Sequence, residues 1–96
     1  MATFIVYGWD FTDTEAHSRR MAARTEHLER MKILKNEDKV IMAGAMMNEE
    51  QKMIGSTLVL DFETKHDLEK WLEKEPYILQ KVWEKVEIKS FRVANL

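Results

Sequence analysis

A histidine, two arginines and a carboxylate are the residues of this chain whose types and spacing could do chemistry. Arg20, Arg24 and His27 follow one another at helical spacing, and Glu75 stands directly before the only proline. When a carboxylate holds one imidazole nitrogen protonated and oriented, the other nitrogen is left to act as general base or acid. An arginine beside such a pair can fork onto an anionic oxygen of a small substrate. The pattern therefore points to proton transfer rather than nucleophilic or metal chemistry.

Two helices must position these groups. At helical pitch, Ala16, Ala23, Met31 and Leu34 fall within about 40° of a common direction, which makes them the core-facing stripe of the first helix. Arg20 and His27 share that sector and Arg24 lies at its edge. Burying a guanidinium or an imidazole without partners costs kilocalories. This face therefore borders a polar pocket, or each group meets a buried counterpart. The second helix offers one. Leu68 and Trp71 define its inward stripe, and Glu75 continues the same face. A plainer alternative stands beside this one. His27 is then a satisfied core histidine, Arg20 packs its stem and reaches water with its head, and Glu75 is an exposed residue at a helix C-terminus, where a carboxylate is disfavoured.

The remaining elements follow from periodicity. Thr3 to Trp9 is rich in β-branched and aromatic residues and reads as a strand. Thr12 with Glu15 has the spacing of a capping box, which predicts a helix running from there to about Lys35, with 36–38 as its exit. Val40 to Met47 and Met53 to Phe62 read as strands joined by a polar hairpin over 48–52. Lys65 to Lys74 reads as a second helix, broken at Glu75 by Pro76 and followed by a short helical turn. Trp83 to Val93 alternates Val86 and Ile88 with Lys85, Glu87 and Lys89, a half-exposed final strand.

The order β-α-β-β-α-β is that of the ferredoxin-like fold, an α+β domain with an antiparallel four-stranded sheet and both helices on one face. Residues 1–96 make one such domain, since the length leaves no room for a second. Phe4 and Val6 point one way, and Ile5, Tyr7 and Trp9 the other. Ile54, Leu58 and Leu60 likewise oppose Thr57 and Val59. A sheet apolar on both faces but helix-covered on one predicts a homodimer through the helix-free face, as in dimeric α/β barrels.

Other classes are set aside by composition and spacing. Seventeen acidic residues against fifteen basic ones give a net charge of −2, without the basic surplus of a nucleic-acid module. The absence of cysteine excludes disulfides and thiolate metal sites. His17 and His66 read as solvated helix positions, and with His27 they form no metal-ligand pattern. No phosphate-cradling glycine loop occurs, and Gly55-Ser56 lies in a strand rather than in the strand–turn–helix context of a nucleophile elbow. Neither a cofactor nor a metal is expected. No apolar stretch approaches the twenty or so residues that cross a bilayer, so the expectation is a soluble cytoplasmic protein without a membrane partner. Met42, Met46, Met47 and Met53 gather around the hairpin and read as core or dimer contacts. Trp9, Trp71 and Trp83 read as core or interface anchors.

The segments Arg20-Met-Ala-Ala-Arg24-Thr-Glu-His27-Leu28, Ala43-Gly44, Gly55-Ser56-Thr57, Glu75-Pro76-Tyr77 and Val86-Glu-Ile-Lys-Ser-Phe91 together resemble the YCII-related family over almost the whole chain. The resemblance implies a dimeric α/β barrel with a His and an Asp meeting in a pocket. It also implies kinship with a dehydrochlorinase of chlorinated hydroxyhydroquinones and with muconolactone-isomerase-like barrels. It places the pocket histidine on His27, the arginines on Arg20 and Arg24, and the Asp of the Asp-Pro-Tyr motif on Glu75, one methylene longer. Ala45 stands where the family usually has proline and Lys81 where it often has glycine.

Two functions are then expected. The first is a small cofactor-independent enzyme of lyase, isomerase or dehydrochlorinase type. His27 and Glu75 would be catalytic, while Arg20, Arg24, Tyr77 and Ser56 bind a small anionic or phenolic substrate. The alternative is a ligand-binding or dimerisation module using the same pocket without turnover.

Overall fold

The structure, a computed structural model describing all 96 residues, has the strands β1 (Ala2–Asp10), β2 (Val40–Met47), β3 (Met53–Phe62) and β4 (Trp83–Ser90). The helices are α1 (Ala16–Asn36), α2 (Lys65–Leu72) and the single turn α3 (Pro76–Leu79). All neighbouring strands are antiparallel, in the order β2-β3-β1-β4. The central pair of the ferredoxin-like topology is therefore β1 and β3, as the sequence predicts.

Phe4, Val6, Leu58, Leu60 and Phe62 form the sheet side of the core and pack against Ala23, Met31 and Leu34 of α1 and Leu68 and Leu72 of α2. The buried positions of α1 are Ala16, Arg20, Ala23, His27, Met31 and Leu34, the predicted stripe with its two polar members included. Ile54 departs from expectation. It shares a face with Leu58 and Leu60 but is 38% exposed, because it borders a shallow cleft between the start of α1 and the hairpin instead of the core.

The helix boundaries carry two corrections. No capping box forms at Thr12: α1 begins at Ala16, and Glu15 at its N-cap makes no side-chain bond. Asp13 is instead engaged by both terminal nitrogens of Arg19, at 2.8 and 2.7 Å, and accepts the Glu15 N–H. That exposed pair holds the Asp13 carboxyl down at about 2, the Arg19 hydrogen bond being the main cause. The second correction matters more. Helix α2 stops at Leu72, and Glu75 is not its tail but the N-cap of α3, with its carboxylate accepting the Tyr77 N–H at 2.9 Å. Pro76 then sits in the first turn, where its missing N–H has no cost. The disfavoured electrostatics expected of Glu75 are thus reversed, since a carboxylate is stabilised at a helix N-terminus.

Two features of the sheet shape the site. Strand β2 is an edge strand exposed along most of its length, so a cleft opens between it and α1. Gly8 pairs with Ser56 across β1 and β3, and a Cβ at Gly8 would fall 2.2 Å from the indole of Trp83. Glycine is therefore what lets Trp83 lie flat against β1 and reach Ser56. On the opposite sheet face Ile5 and Val59 are partners, and Tyr7 and Trp9 stack at 6.4 Å with no helix over them. No helix is long and apolar enough to cross a membrane.

Candidate active site

Arg20 is buried and paired through Nε and Nη2. Its Nε and Nη2 donate to the two carboxylate oxygens of Asp10 at 2.7 and 2.9 Å, and Nη2 also donates to the Ser56 hydroxyl at 2.8 Å. A bidentate, desolvated pair of this kind fixes both side chains. Asp10, at the end of β1, is a partner that the sequence reading missed. Its charge offsets that of Arg20 within the protein and fixes the guanidinium in place. Nη1 makes no bond within the protein, and Arg20 lines the cleft between β2 and α1.

Two helical turns further, Nδ1 of His27 lies 2.9 Å from Oε2 of Glu75, which is wholly buried. The same oxygen takes the Tyr77 N–H, while Arg30 donates to the other oxygen at 3.2 Å. The Tyr77 N–H and Arg30 both donate to this carboxylate, so it faces the ring as an acceptor. Nδ1 therefore carries the proton. Arg30, the second unforeseen residue, also donates to the carbonyl of Trp71 at 2.8 Å and lies over its indole at 4.3 Å. The i, i+3 spacing from His27 was the available signal, since it puts both residues on adjoining flanks of α1.

The Tyr77 ring stacks on His27 at 4.0 Å and 15°, and the Arg20 guanidinium covers it at 4.7 Å. Trp83 closes the cluster edge-on to both rings. Burial pushes the Tyr77 phenol up, outweighing the nearby arginines. It stays a neutral hydrogen-bond donor across the physiological range.

These groups surround a cleft of about 260 Å³. Arg20, Arg24, His27, Ser56 and Tyr77 line it, facing an apolar wall that includes Ala43, Gly44 and Ala45 of β2. Glu75 is the one expected site residue that does not reach the cleft; it acts on it through His27. Nε2 of His27 makes no bond within the protein, and no buried side-chain nitrogen or oxygen is left unpaired. That nitrogen therefore opens onto the cleft. Arg24 is exposed and has no ion-pair partner, which makes it the free cation at the rim. Lys81 does not line the cleft; its φ of 57° explains instead why glycine suits that position. His17 and His66 are both exposed.

A ferredoxin-like protomer with a buried His–carboxylate pair beneath its helices is the class defined so far. The model of the YCII-related domain matches residues 4–92, and the chain belongs to that family. It is 27% identical over 95 residues to Protein YciI of Escherichia coli, covering 93% of this chain and 95% of that protein. It is 30% identical to an uncharacterized protein of Haemophilus influenzae at the same coverage. Among solved structures, the 5-chloro-2-hydroxyhydroquinone dehydrochlorinase of Burkholderia phenoliruptrix, in complex with 2,5-dihydroxybenzoquinone, superposes with a TM-score of 0.83 at 18% identity. That match covers 96% of this chain and 95% of that one.

Proposed function

We propose that the protein is a cofactor-independent enzyme that moves a proton on a small anionic or phenolic substrate, with His27 as the acid–base group. The observation that supports this most is the division of labour within one ring: Nδ1 is locked to Glu75 while Nε2 opens onto the cleft. In this scheme Nε2 takes a proton from a substrate O–H or C–H. Glu75 stabilises the imidazolium that forms, Arg24 holds the substrate's negative charge, and the neutral Tyr77 phenol donates to a developing oxyanion. Elimination or isomerisation suits such a site, and the dehydrochlorinase likeness makes a chlorinated hydroxyhydroquinone the first compound to try. We place a second copy of the chain on the open sheet face, where Tyr7, Trp9 and Met42 stand without cover.

One feature favours a second reading, a pocket that binds such anions without turnover. Arg30 already neutralises much of the Glu75 charge that would otherwise stabilise an imidazolium. Chloride release from 5-chloro-2-hydroxyhydroquinone, with a metabolite screen by thermal shift, separates the two. Release that disappears in His27→Gln supports the enzyme. A ligand that raises the melting temperature and is recovered unchanged after hours supports the binding module.

A further inference from the structure

The hydroxyl of Ser56 is committed by its surroundings in a way that the acid–base scheme does not use. Arg20 Nη2 donates to Oγ at 2.8 Å and the Trp83 indole N–H donates to it at 3.3 Å. Neither donor can reverse its role, because guanidinium and indole nitrogens have no acceptor capacity here. A hydroxyl offers two lone pairs and one proton. Both lone pairs of Ser56 are taken, so only the proton is left to give. These two are the only side-chain bonds of Ser56, neither takes its proton, and Ser56 lines the cleft. The arrangement is rigid at each joint: Asp10 chelates Arg20, and Gly8 lets the indole of Trp83 lie against β1 opposite Ser56.

We infer that Ser56 is a specificity residue that can only donate, so the ligand atom it meets must be a hydrogen-bond acceptor, with a carbonyl or an oxyanion favoured over a hydroxyl oxygen. This rests on the acid–base reading of the cleft and sharpens it. A ligand presenting an ammonium, which has no lone pair, at that point would face a proton and be rejected. Donation from a cationic guanidinium polarises the hydroxyl further, which strengthens its bond to an anion. His27 and Ser56 then have separate tasks. The first handles the mobile proton, and the second selects an accepting oxygen.

Calorimetric titration with 2,5-dihydroxybenzoquinone, rich in accepting oxygens, tests the assignment on the wild type, Ser56→Ala and His27→Gln. The expected result is binding to the wild type, affinity weakened about tenfold or more in Ser56→Ala, and a smaller loss in His27→Gln. Ser56→Cys, close in size with a weak S–H donor, serves if the alanine variant does not fold, and the same loss is expected. Equal affinity in wild type and Ser56 variants overturns the Ser56 assignment and leaves the acid–base reading standing. No binding to the wild type overturns the ligand class and the assignment with it. Neutron diffraction from deuterium-exchanged crystals is independent of any ligand. It should place the Ser56 deuteron toward the cleft and those of Arg20 and Trp83 toward Oγ, and a Ser56 deuteron aimed at a protein acceptor overturns the inference.

Discussion

Oε2 of Glu75 accepts from His27 Nδ1 and from the Tyr77 N–H, each at 2.9 Å. One oxygen thus both orients the cleft imidazole and caps the turn of helix that carries the tyrosine stacked on it. The function of the histidine and the local fold of 75–79 are coupled through that atom.

Glu75→Gln tests the coupling. The amide can still accept, but the charge that matches Arg30 is gone from a buried position. We expect a loss of about 2 kcal/mol in denaturant unfolding. In nitrogen-detected NMR the histidine should no longer be held with its proton on Nδ1. Any turnover that depends on His27 should fall by about 100-fold or more. An unchanged tautomer would show that an accepting oxygen suffices to orient the ring and that the Glu75 charge is not needed for it.

Glu75→Asp asks why the longer side chain is present. Asp is a good N-cap, so the bond to the Tyr77 N–H should survive. The shorter carboxylate cannot span from that cap to both His27 and Arg30. Arg30 is the partner at 3.2 Å and the more solvent-exposed of the two, so its bond should be the one lost. The expected cost is about 1 kcal/mol with the His27 tautomer retained. A crystal structure of the variant with Arg30 still on the carboxylate would contradict this.

The fold and half of the site were legible in the sequence for one physical reason. Helical and strand periodicities record burial, and Arg20 and His27 stood out because polar groups on a buried stripe demand partners. The identity of those partners was less legible. Glu75 lay beside a proline and could be matched to His27 by face. Asp10 at a strand end carried no periodic signal, and its pairing with Arg20 depends on where the chain leaves the sheet. Ser56 was expected among the substrate-binding residues, but its donor-only role was not legible because it is set in part by Trp83, a residue 27 positions away. The capping box failed at Thr12 because a neighbouring arginine captured Asp13, a competition that pattern alone cannot weigh.

Tyr77 predicts a pH dependence. Its phenol is raised above the ordinary value of 10.0 by burial, so the folded state holds the proton more tightly than the unfolded chain. The stabilisation is fully present below pH 10 and is lost as pH rises through the folded value. Tyr77→Phe removes this titration. Wild type should therefore lose stability relative to Tyr77→Phe as the pH rises above 10 in urea unfolding, and parallel curves would contradict the assignment.

Lys81 holds a left-handed backbone, φ 57°, where its carbonyl accepts from Nε of Arg19 at 2.9 Å. A side chain in that conformation is strained, and glycine is not. Lys81→Gly should stabilise the fold by about 0.5–1 kcal/mol and leave ligand binding unchanged, because Lys81 does not line the cleft. Thermal unfolding and titration with the same quinone check both halves.

The open sheet face predicts the assembly. Ile5 and Val59 lie at its centre, the Tyr7–Trp9 stack beside them, and Met42 is 62% exposed on the neighbouring edge. Lys85, Glu87 and Lys89 border the face on β4, and Trp9 donates to Glu87 at 3.1 Å. An apolar centre with a charged margin is the anatomy of a protein interface. Sedimentation at micromolar concentration should give twice the 11.4 kDa chain mass. Trp9→Lys combined with Met42→Glu should yield a folded monomer, because both side chains lie outside the helix-covered core and their loss leaves it intact. A wild type that sediments as a monomer would remove the dimer and leave the cleft, which lies on the helical side of the sheet, unaffected.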